Sequence, residues 1–188
     1  IYEAIENLPV GSVVIFNHQY HSGNWGELAG GGSAIMKHLF MKPVKVVVLT
    51  QSDTGPQFFA LYWSDPQKYG FPGNREATLK YYGKTYGVDY VEFGFLTGSE
   101  SGARLLADDF HKAYPKDILG NSVKDIPMMA KITSAKDVST MIILHSWSWY
   151  NDFYIRQWQG PYGTKFLVFA SGLVVSSIAP YYPYQQLY

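Results

Sequence analysis

The feature that most constrains the fold is a series of five short runs rich in apolar and β-branched residues, separated by longer stretches with helical patterning. The runs predict strands at Ser12–Phe16, Lys45–Thr50, Asp89–Phe95, Thr140–His145 and Lys165–Ala170. Between them, helices are predicted at Ser33–Lys42, Arg75–Tyr86, Ser101–Tyr114 and Asn151–Gln159. Strands that alternate with helices and carry few polar positions favour parallel pairing with both faces covered. The sequence therefore predicts an α/β fold: a doubly wound, mostly parallel five-stranded sheet of Rossmann-like or flavodoxin-like type, with helices on both faces.

The domain organisation is predicted to be simple. The 188 residues contain no internal repeat and no dividing linker, so we expect a single α/β domain over 1–188, with a lead-in at 1–11 and an uncharged Tyr-rich tail at 172–188. Pro180 and Pro183 in this tail argue against a membrane-spanning helix. Because the chain has no Cys, disulfides, zinc thiolate sites and thiol catalysis are excluded. Fifteen Lys and Arg balance fifteen Asp and Glu, which argues against a nucleic-acid partner bound through bulk charge.

Polar residues follow the predicted strands. In doubly wound sheets, ligands bind beyond the carboxyl ends of the strands, where the strand order reverses. The rule predicts these ligand-binding residues: Asn17, His18, Ser22, Asn24, Ser52, Asp53, Thr54, Thr97, Ser99 and Ser146. Ser171 and Gly172 follow the fifth strand. The alternative is a polar edge without a ligand, because loop backbones also need polar partners.

The same edge contains the candidates for catalysis. His21 or His145 could act as a base, with Asp53 as its orienting carboxylate, and Ser146 would complete a hydrolytic triad. However, the G-x-S-x-G motif that presents a nucleophilic serine on such sheets is absent. Adjacent residues on an extended chain also point in opposite directions, which separates His145 from Ser146.

Metal and cofactor sites are not predicted. His18 and His21 have a spacing found in metal sites, with Glu27, Asp53 and His145 as further ligands, but loop histidines are the ordinary interpretation. Gly30-Gly31-Gly32 does not match G-x-G-x-x-G, because position 35 is Ile, and no phosphate-binding loop motif occurs. We therefore expect the glycine cluster to form a turn, and we expect no metal and no cofactor.

Aromatic residues are unusually dense near the C-terminal end. They exceed what one short helix is expected to bury, and Tyr and Trp are enriched at protein interfaces. The sequence therefore predicts an aromatic interface formed by Trp147, Trp149, Tyr150, Tyr154, Trp158, Tyr181, Tyr182 and Tyr184. Sugar stacking and a membrane-interface belt are alternative interpretations of the same residues.

Several segments together resemble an uncharacterised family of prokaryotic membrane-anchored proteins with a soluble Rossmann-like α/β domain. The most distinctive are Tyr86-Gly87-Val88-Asp89-Tyr90 and Ala179-Pro180-Tyr181-Tyr182-Pro183-Tyr184. Weaker matches are Leu8-Pro9, Gly11-Ser12-Val13-Val14, Glu27-Leu28, His38-Leu39, Lys45-Val46-Val47, Gly94, Ile126-Pro127-Met128 and Gln186-Leu187. At Asn17-His18 the chain departs from the family, which usually has an acidic residue near this position. The resemblance implies membrane segments outside the given chain and transfers no catalytic residue.

Two functions follow as expectations. The first is a non-catalytic soluble domain of a membrane-associated protein, with a structural or assembly role. Its partners would be itself or other membrane-protein subunits, and segments outside the given chain would bring it to the membrane surface. The second is a small-ligand or nucleotide-like binding domain, with a hydrolase as one version, whose site lies at the carboxyl edge of the sheet.

Overall fold

The five predicted strands form one parallel sheet. The computed structural model of the protein describes residues 1–181. The strands are β1 (Val13–His18), β2 (Lys45–Thr50), β3 (Tyr90–Phe95), β4 (Thr140–His145) and β5 (Lys165–Ala170), in the order β3-β2-β1-β4-β5. Every neighbouring pair is parallel. The predicted α/β fold class is therefore confirmed, and the strand order reverses between β1 and β4.

Helices connect the strands. They are α1 (Tyr2–Glu6), α2 (Trp25–Met41), α3 (Gly55–Ser64), α4 (Arg75–Tyr81), α5 (Ser99–Asp108), α6 (Phe110–Ala113), α7 (Trp149–Tyr154), α8 (Gly160–Tyr162) and α9 (Val175–Ile178). A π-helical segment, Ile155–Gln159, joins α7 to α8. Single turns of 3-10 helix lie at Val123–Asp125, Pro127–Ala130, Ala135–Asp137, Gly172–Val174 and Ala179–Tyr181.

One apolar core lies on each face of the sheet. In β1, Val14 and Phe16 pack with residues of α2 and α3, whereas Val13 and Ile15 pack with residues of α5 and the α7 region. This split follows from the alternation of side chains along a strand. Because both faces are covered, the carboxyl edge of the sheet is where polar side chains from several strands meet.

The first strand is longer than predicted at its carboxyl end. Asn17 and His18 are its last two residues, and both are buried. The prediction that they belong to the following loop is wrong, because Asn17 and His18 continue the parallel register with Ile143 and Leu144 of β4. They act as interior groups rather than loop groups.

The glycine cluster is helical, so the predicted turn at Gly30-Gly31-Gly32 is wrong. Helix α2 begins at Trp25, so Ser33, the predicted first residue of this helix, lies inside it. A Cβ at Gly31 would lie 2.2 Å from Cζ of Phe169, and one at Gly32 would lie 1.8 Å from the Tyr20 hydroxyl oxygen. These glycines therefore let α2 pack very closely on the sheet, which outweighs their low helix propensity.

Two other predicted helices have different boundaries. The segment predicted at Ser101–Tyr114 is interrupted at Asp109, which is extended and whose carboxylate accepts hydrogen bonds from the backbone N–H groups of His111 and Lys112. Helix α4 ends at Tyr81 instead of Tyr86, and Gly83 follows with a φ of 65°. In both places a local stop signal outweighs the apolar periodicity used for the prediction.

Three residues of the predicted aromatic interface belong to the core, which corrects that prediction. Tyr150, Tyr154 and Trp158 are at most 9% exposed, and the Trp158 indole N–H donates to the Ala103 carbonyl oxygen at 2.9 Å. The helical segment continues through the π turn to Tyr162 and packs against α5. This surface is larger than one short helix, so it buries rings that the sequence interpretation left exposed.

Candidate functional site

The carboxyl ends of the strands divide into two halves with different hydrogen bonding. One half is a continuous set of bonds among Asn17, Gln19, Gln51, Tyr154 and Ser99, which we call the bonded half. The other half, which we call the open half, consists of His21, Ser146, Asn151 and Ser171, each of which has a buried polar atom without a partner among residues 1–181. The open half adjoins the β1–β4 boundary, the position at which doubly wound sheets bind ligands.

In the bonded half, successive residues are joined by hydrogen bonds. Gln19 Nε2 donates to Asn17 Oδ1 at 2.5 Å, and Gln19 Oε1 accepts from the Gln51 backbone N–H at 3.1 Å. Gln51 Nε2 donates to the Ser99 carbonyl at 2.7 Å, and Gln51 Oε1 accepts from the Tyr154 hydroxyl at 2.7 Å. Ser99 has a φ of 44°, a strained value for a residue with a side chain. The network fixes the ends of β1, β2 and β3 to one another.

The loop after β1 is also fixed. Asn24 Oδ1 accepts from the His21 backbone N–H, and Asn24 Nδ2 donates to the Gln19 carbonyl, both at 2.9 Å. From the β2 side, the Ser52 hydroxyl donates to the Tyr20 carbonyl at 2.7 Å and the Thr54 hydroxyl donates to it at 3.4 Å. Asn24, Ser52 and Thr54 were predicted to bind a ligand directly, and the structure places them as supports of this loop.

The open half gathers around the end of β4. The Ser171 backbone N–H donates to the His145 carbonyl at 3.0 Å, which brings the end of β5 next to Ser146. Asn151 Oδ1 accepts from His145 Nε2 at 3.0 Å, and the His21 ring lies 6.0 Å from the Trp147 ring. Side-chain atoms left without a partner here are His21 Nε2, Ser146 Oγ, Asn151 Nδ2 and Ser171 Oγ. Buried polar groups are normally paired, so a cluster of unpaired ones indicates a place where another molecule binds.

Both ring nitrogens of His145 form hydrogen bonds with neighbouring residues. Its Nδ1 accepts from the Trp147 backbone N–H at 3.3 Å, so the proton of the neutral ring is on Nε2, which donates to Asn151. Burial lowers the pKa of His145 to about 4, although both hydrogen bonds act in the opposite direction. With both ring nitrogens hydrogen-bonded to the protein, His145 has no free nitrogen to accept a substrate proton in this arrangement.

His18 is also neutral. Its ring stacks on those of Tyr20 and Phe59, with centroid distances of 4.8 Å and 4.6 Å, and burial lowers its pKa to about 3. Its Nδ1 is buried without a partner, on the side of the sheet covered by α3. His18 is therefore an interior ring that packs against Tyr20 and Phe59.

Besides Ser99, whose carbonyl belongs to the bonded half, three predicted site residues are exposed and lie outside the open half. Ser22 and Thr97 lie on the surface, and Asp53 is exposed with its Oδ1 accepting from the Thr54 backbone N–H at 2.8 Å. Within residues 1–181, no hydrogen bond or ion pair joins Asp53 to His21, His145 or Ser146. The Asp53–His145–Ser146 triad considered from the sequence is therefore not assembled.

The considered metal ligands do not converge either. In the described part of the chain, no group of three or more His, Asp or Glu side chains is arranged to hold a metal ion. His18 is enclosed by aromatic rings, and Glu27 Oε1 accepts from the Gly172 backbone N–H at 2.7 Å. Glu27 thereby ties the first turn of α2 to the end of β5.

Trp147 and Trp149 remain at the surface. They are 45% and 53% exposed, and their rings stack with a centroid distance of 5.0 Å and an interplanar angle of 10°. Trp147 lies beside His21 and directly follows Ser146. Of the other predicted interface residues, Tyr181 is partly buried and donates to Asp152, while Tyr182 and Tyr184 lie outside the described residues.

Sequence reasoning missed one member of the open half and gave too little weight to another. Asn151 lies in α7, beyond the strand ends, and only its contact with His145 connects it to the site. Ser171 follows the fifth strand but was not among the predicted ligand-binding residues. The available signal was its position, since it follows β5 just as Ser146 follows β4.

Comparisons with protein-family models, curated proteins and solved structures found no match to this chain. The resemblance to a membrane-anchored family therefore stays a prediction. Within residues 1–181, none of the helices combines the length and the apolar character that crossing a bilayer requires.

Proposed function

We propose that this domain binds a small, uncharged, hydroxyl- or carbonyl-bearing ligand, such as a monosaccharide, at the open half of the strand ends. The observation that carries this proposal is the cluster of four buried polar atoms without partners at the ends of β1, β4 and β5 and in α7. An unpaired buried polar group costs about 1–3 kcal/mol, so a ligand that pairs with several of them gains affinity.

The unpaired atoms favour a ligand that accepts hydrogen bonds. His21 Nδ1 accepts from the Gly23 backbone N–H at 3.1 Å, so the neutral ring presents an N–H at Nε2. Asn151 Nδ2 is a donor, and the hydroxyls of Ser146 and Ser171 can donate or accept. Hydroxyl and carbonyl groups of a sugar match such a set.

The charges near the site disfavour an anion such as a phosphate. The segments that follow β1, β4 and β5, at 19–24, 146–148 and 171–174, contain no Lys or Arg. Glu27 occupies the first turn of α2, where a phosphate would use the free helix amides. Arg156, which lies towards α5, is paired with Glu100 at 2.8 Å.

The exposed Trp147 ring adds an apolar face beside His21. An aromatic face next to several hydrogen-bonding groups suits a ligand with one apolar face and a polar rim, as a pyranose ring has. We therefore propose ligand binding, and we assign no residue of the open half as a catalytic base or a nucleophile.

A thermal-shift assay tests the proposal with glucose, galactose, ribose and myo-inositol, and with glucose 6-phosphate as the charged counterpart. We expect at least one neutral compound to raise the melting temperature of the wild type by about 3 °C at about ten times its Kd. The Ser171→Ala variant should lose this increment and the Ser64→Ala variant should retain it. Because sugars also stabilise proteins through exclusion from the surface, the difference between variants is the readout. Equal shifts in all three proteins, or none in any, would contradict the proposal.

A second proposal retains the assembly role predicted from the sequence. Leu173 and Val175 are 84% and 52% exposed and follow β5, at the same sheet edge as Trp147 and Trp149. Several large exposed apolar groups at one edge of a sheet are a feature of surfaces that contact a protein or a lipid surface. Size-exclusion chromatography with light scattering tests self-association: we expect a dimer or larger species that the Leu173→Ser/Val175→Ser variant converts to a monomer. A wild-type monomer at high concentration would count against assembly with copies of itself.

A further inference from the structure

A pocket lies beside the edge strand β3, and none of its lining residues belongs to the bonded half or the open half. Its volume is about 620 Å³, and its walls include Trp63, Arg75, Leu79, Lys80, Tyr86 and Leu119. Small-molecule sites are concave, mostly apolar and about 300–1,000 Å³ in volume, with a few polar groups at defined positions. The pocket has this size and this mixture of side chains.

A lining residue of the pocket, Arg75, forms an ion pair with a buried acid behind the pocket wall. Glu92, in β3, has a side chain only 4% exposed, and its Oε2 lies 3.1 Å from Nε of Arg75 and accepts from the Tyr90 hydroxyl at 3.0 Å. Burial raises the pKa of Glu92, and the positive charge of Arg75 offsets part of that rise. Glu92 therefore fixes the orientation of Arg75 at the pocket wall.

The pocket presents donors in excess of acceptors. Within residues 1–181, Arg75 Nε and Trp63 Nε1 are buried without a hydrogen bond of good geometry, although both face the Glu92 carboxylate. Lys80 is exposed at the pocket, and its ammonium group forms no ion pair or hydrogen bond with residues 1–181. Lys84 differs, because its Nζ donates to the carbonyls of Lys42 and Val44 at 2.6 Å and 3.1 Å. Arg75 and Lys80 are thus the cations left to meet a ligand.

We propose that this β3-edge pocket binds an amphipathic organic anion, with its apolar body against Trp63, Leu79 and Leu119 and its acidic head towards Arg75 and Lys80. Charge complementarity selects this class. Among the described residues, the pocket is lined by three cations, Arg75, Lys80 and Lys84, and by one acid, Glu76. Glu92 lies behind the pocket wall and is already paired with Arg75. The site is independent of the sugar site at the strand ends, since the two share no residue.

Indole N–H signals in a proton–nitrogen correlation spectrum give a direct test. The chain has five Trp, and their positions separate the sites. Trp63 lines the pocket, Trp147 and Trp149 lie at the strand ends, and Trp158 is in the core. Trp25 begins α2, and its indole N–H donates to the Tyr69 hydroxyl oxygen at 3.2 Å. The Trp63→Phe variant identifies the signal of Trp63. The probe is 2-naphthoate, and 2-naphthamide is the matched neutral compound.

We expect 2-naphthoate to shift the Trp63 signal in a saturable manner while the Trp158 signal stays in place. The Lys80→Glu variant should weaken binding about three- to tenfold, and Lys80→Gln should have a smaller effect, as expected for an exposed charge contact. Lys131→Glu, which makes the same charge change at an exposed lysine outside the pocket, should bind like the wild type. Three results would overturn the proposal: no shift at Trp63, equal binding of the amide, or equal affinity in the Lys80→Glu variant.

Discussion

The two halves of the carboxyl edge are built from similar residues and differ in how these residues are paired. In the bonded half, Gln51 links Gln19, Ser99 and Tyr154, and its side-chain amide is used on both sides. In the open half, Ser146 and Ser171 are buried just as deeply, yet their hydroxyls have no partner among residues 1–181. The difference teaches that burial of a polar group does not by itself identify its role. A paired group holds the fold together, whereas several unpaired groups that lie together mark a place that a ligand can satisfy.

The largest expected effect concerns His18 and His145, the two buried histidines at the boundary between the halves. Both have pKa values lowered by burial, to about 3 and about 4, so the unfolded chain binds more protons than the folded one below about pH 6.5. The contribution of these two rings to the free energy of unfolding is therefore complete above this pH. It is lost as the pH decreases towards the pKa values of the rings in the folded protein. From pH 8 to pH 4.5 we expect a loss of about 5 kcal/mol in the free energy of unfolding, measured by urea denaturation.

A variant separates the two histidines. His18→Phe keeps a ring in the stack with Tyr20 and Phe59 and removes one of the two titrating groups. We expect it to lose about half of the dependence on pH. A wild type whose stability is constant between pH 8 and pH 4.5 would show that these rings are not held neutral.

The next effect tests the bonded half. The Gln51→Ala variant leaves the buried Tyr154 hydroxyl and the Ser99 carbonyl without their partners. We expect a loss of about 2–4 kcal/mol in the free energy of unfolding. Gln67→Ala, at an exposed glutamine, is the matched control and should change stability by less than about 0.5 kcal/mol. A small effect at Gln51 would remove the distinction between the halves.

A smaller effect is expected in the open half. The Ser171→Ala variant removes a hydroxyl that has no partner in the described residues, so no hydrogen bond of the protein is lost. Replacing an unpaired buried hydroxyl by a methyl group should leave stability within about 0.5 kcal/mol or raise it by up to about 1 kcal/mol. Urea denaturation measures this, and a loss as large as that of Gln51→Ala would show that Ser171 is paired in solution.

The smallest effect concerns Asp53. Its carboxylate is exposed and accepts only the neighbouring Thr54 N–H among the hydrogen bonds of residues 1–181. We expect Asp53→Asn to change stability by less than about 0.5 kcal/mol and to leave the thermal shift by a neutral sugar intact. If the variant lost the thermal shift, Asp53 would have to be counted among the ligand-binding residues.

The strands could be predicted because their signal is local. Lys45–Thr50, Thr140–His145 and Lys165–Ala170 occupy the same residues in the structure as in the sequence prediction. The glycine cluster in α2 could not be placed, because its cause is the contact of Gly31 with Phe169, which lies far along the chain. Trp158 was predicted exposed because the length of the helical segment, extended by the π turn, is not visible in the local pattern.

The sequence predicted where the candidate site lies but not which of its polar groups pair with one another. The rule for doubly wound sheets placed it at the strand ends, and His21 and Ser146 were among the predicted residues. Which polar groups pair with each other depends on side-chain directions in three dimensions, so Asn24 and Ser146 could not be distinguished from the sequence. Asn151 became part of the site only through the orientation of His145.

The most direct test of the central claim is isothermal titration calorimetry with the neutral sugar that stabilises the protein most. It compares the wild type with the Ser146→Ala/Ser171→Ala double variant, whose fold should be as stable as that of the wild type. We expect saturable binding to the wild type and at least a tenfold larger Kd in the variant, which corresponds to about 1.4 kcal/mol. The same Kd in both proteins would contradict it, and so would the absence of binding heat for every sugar tested.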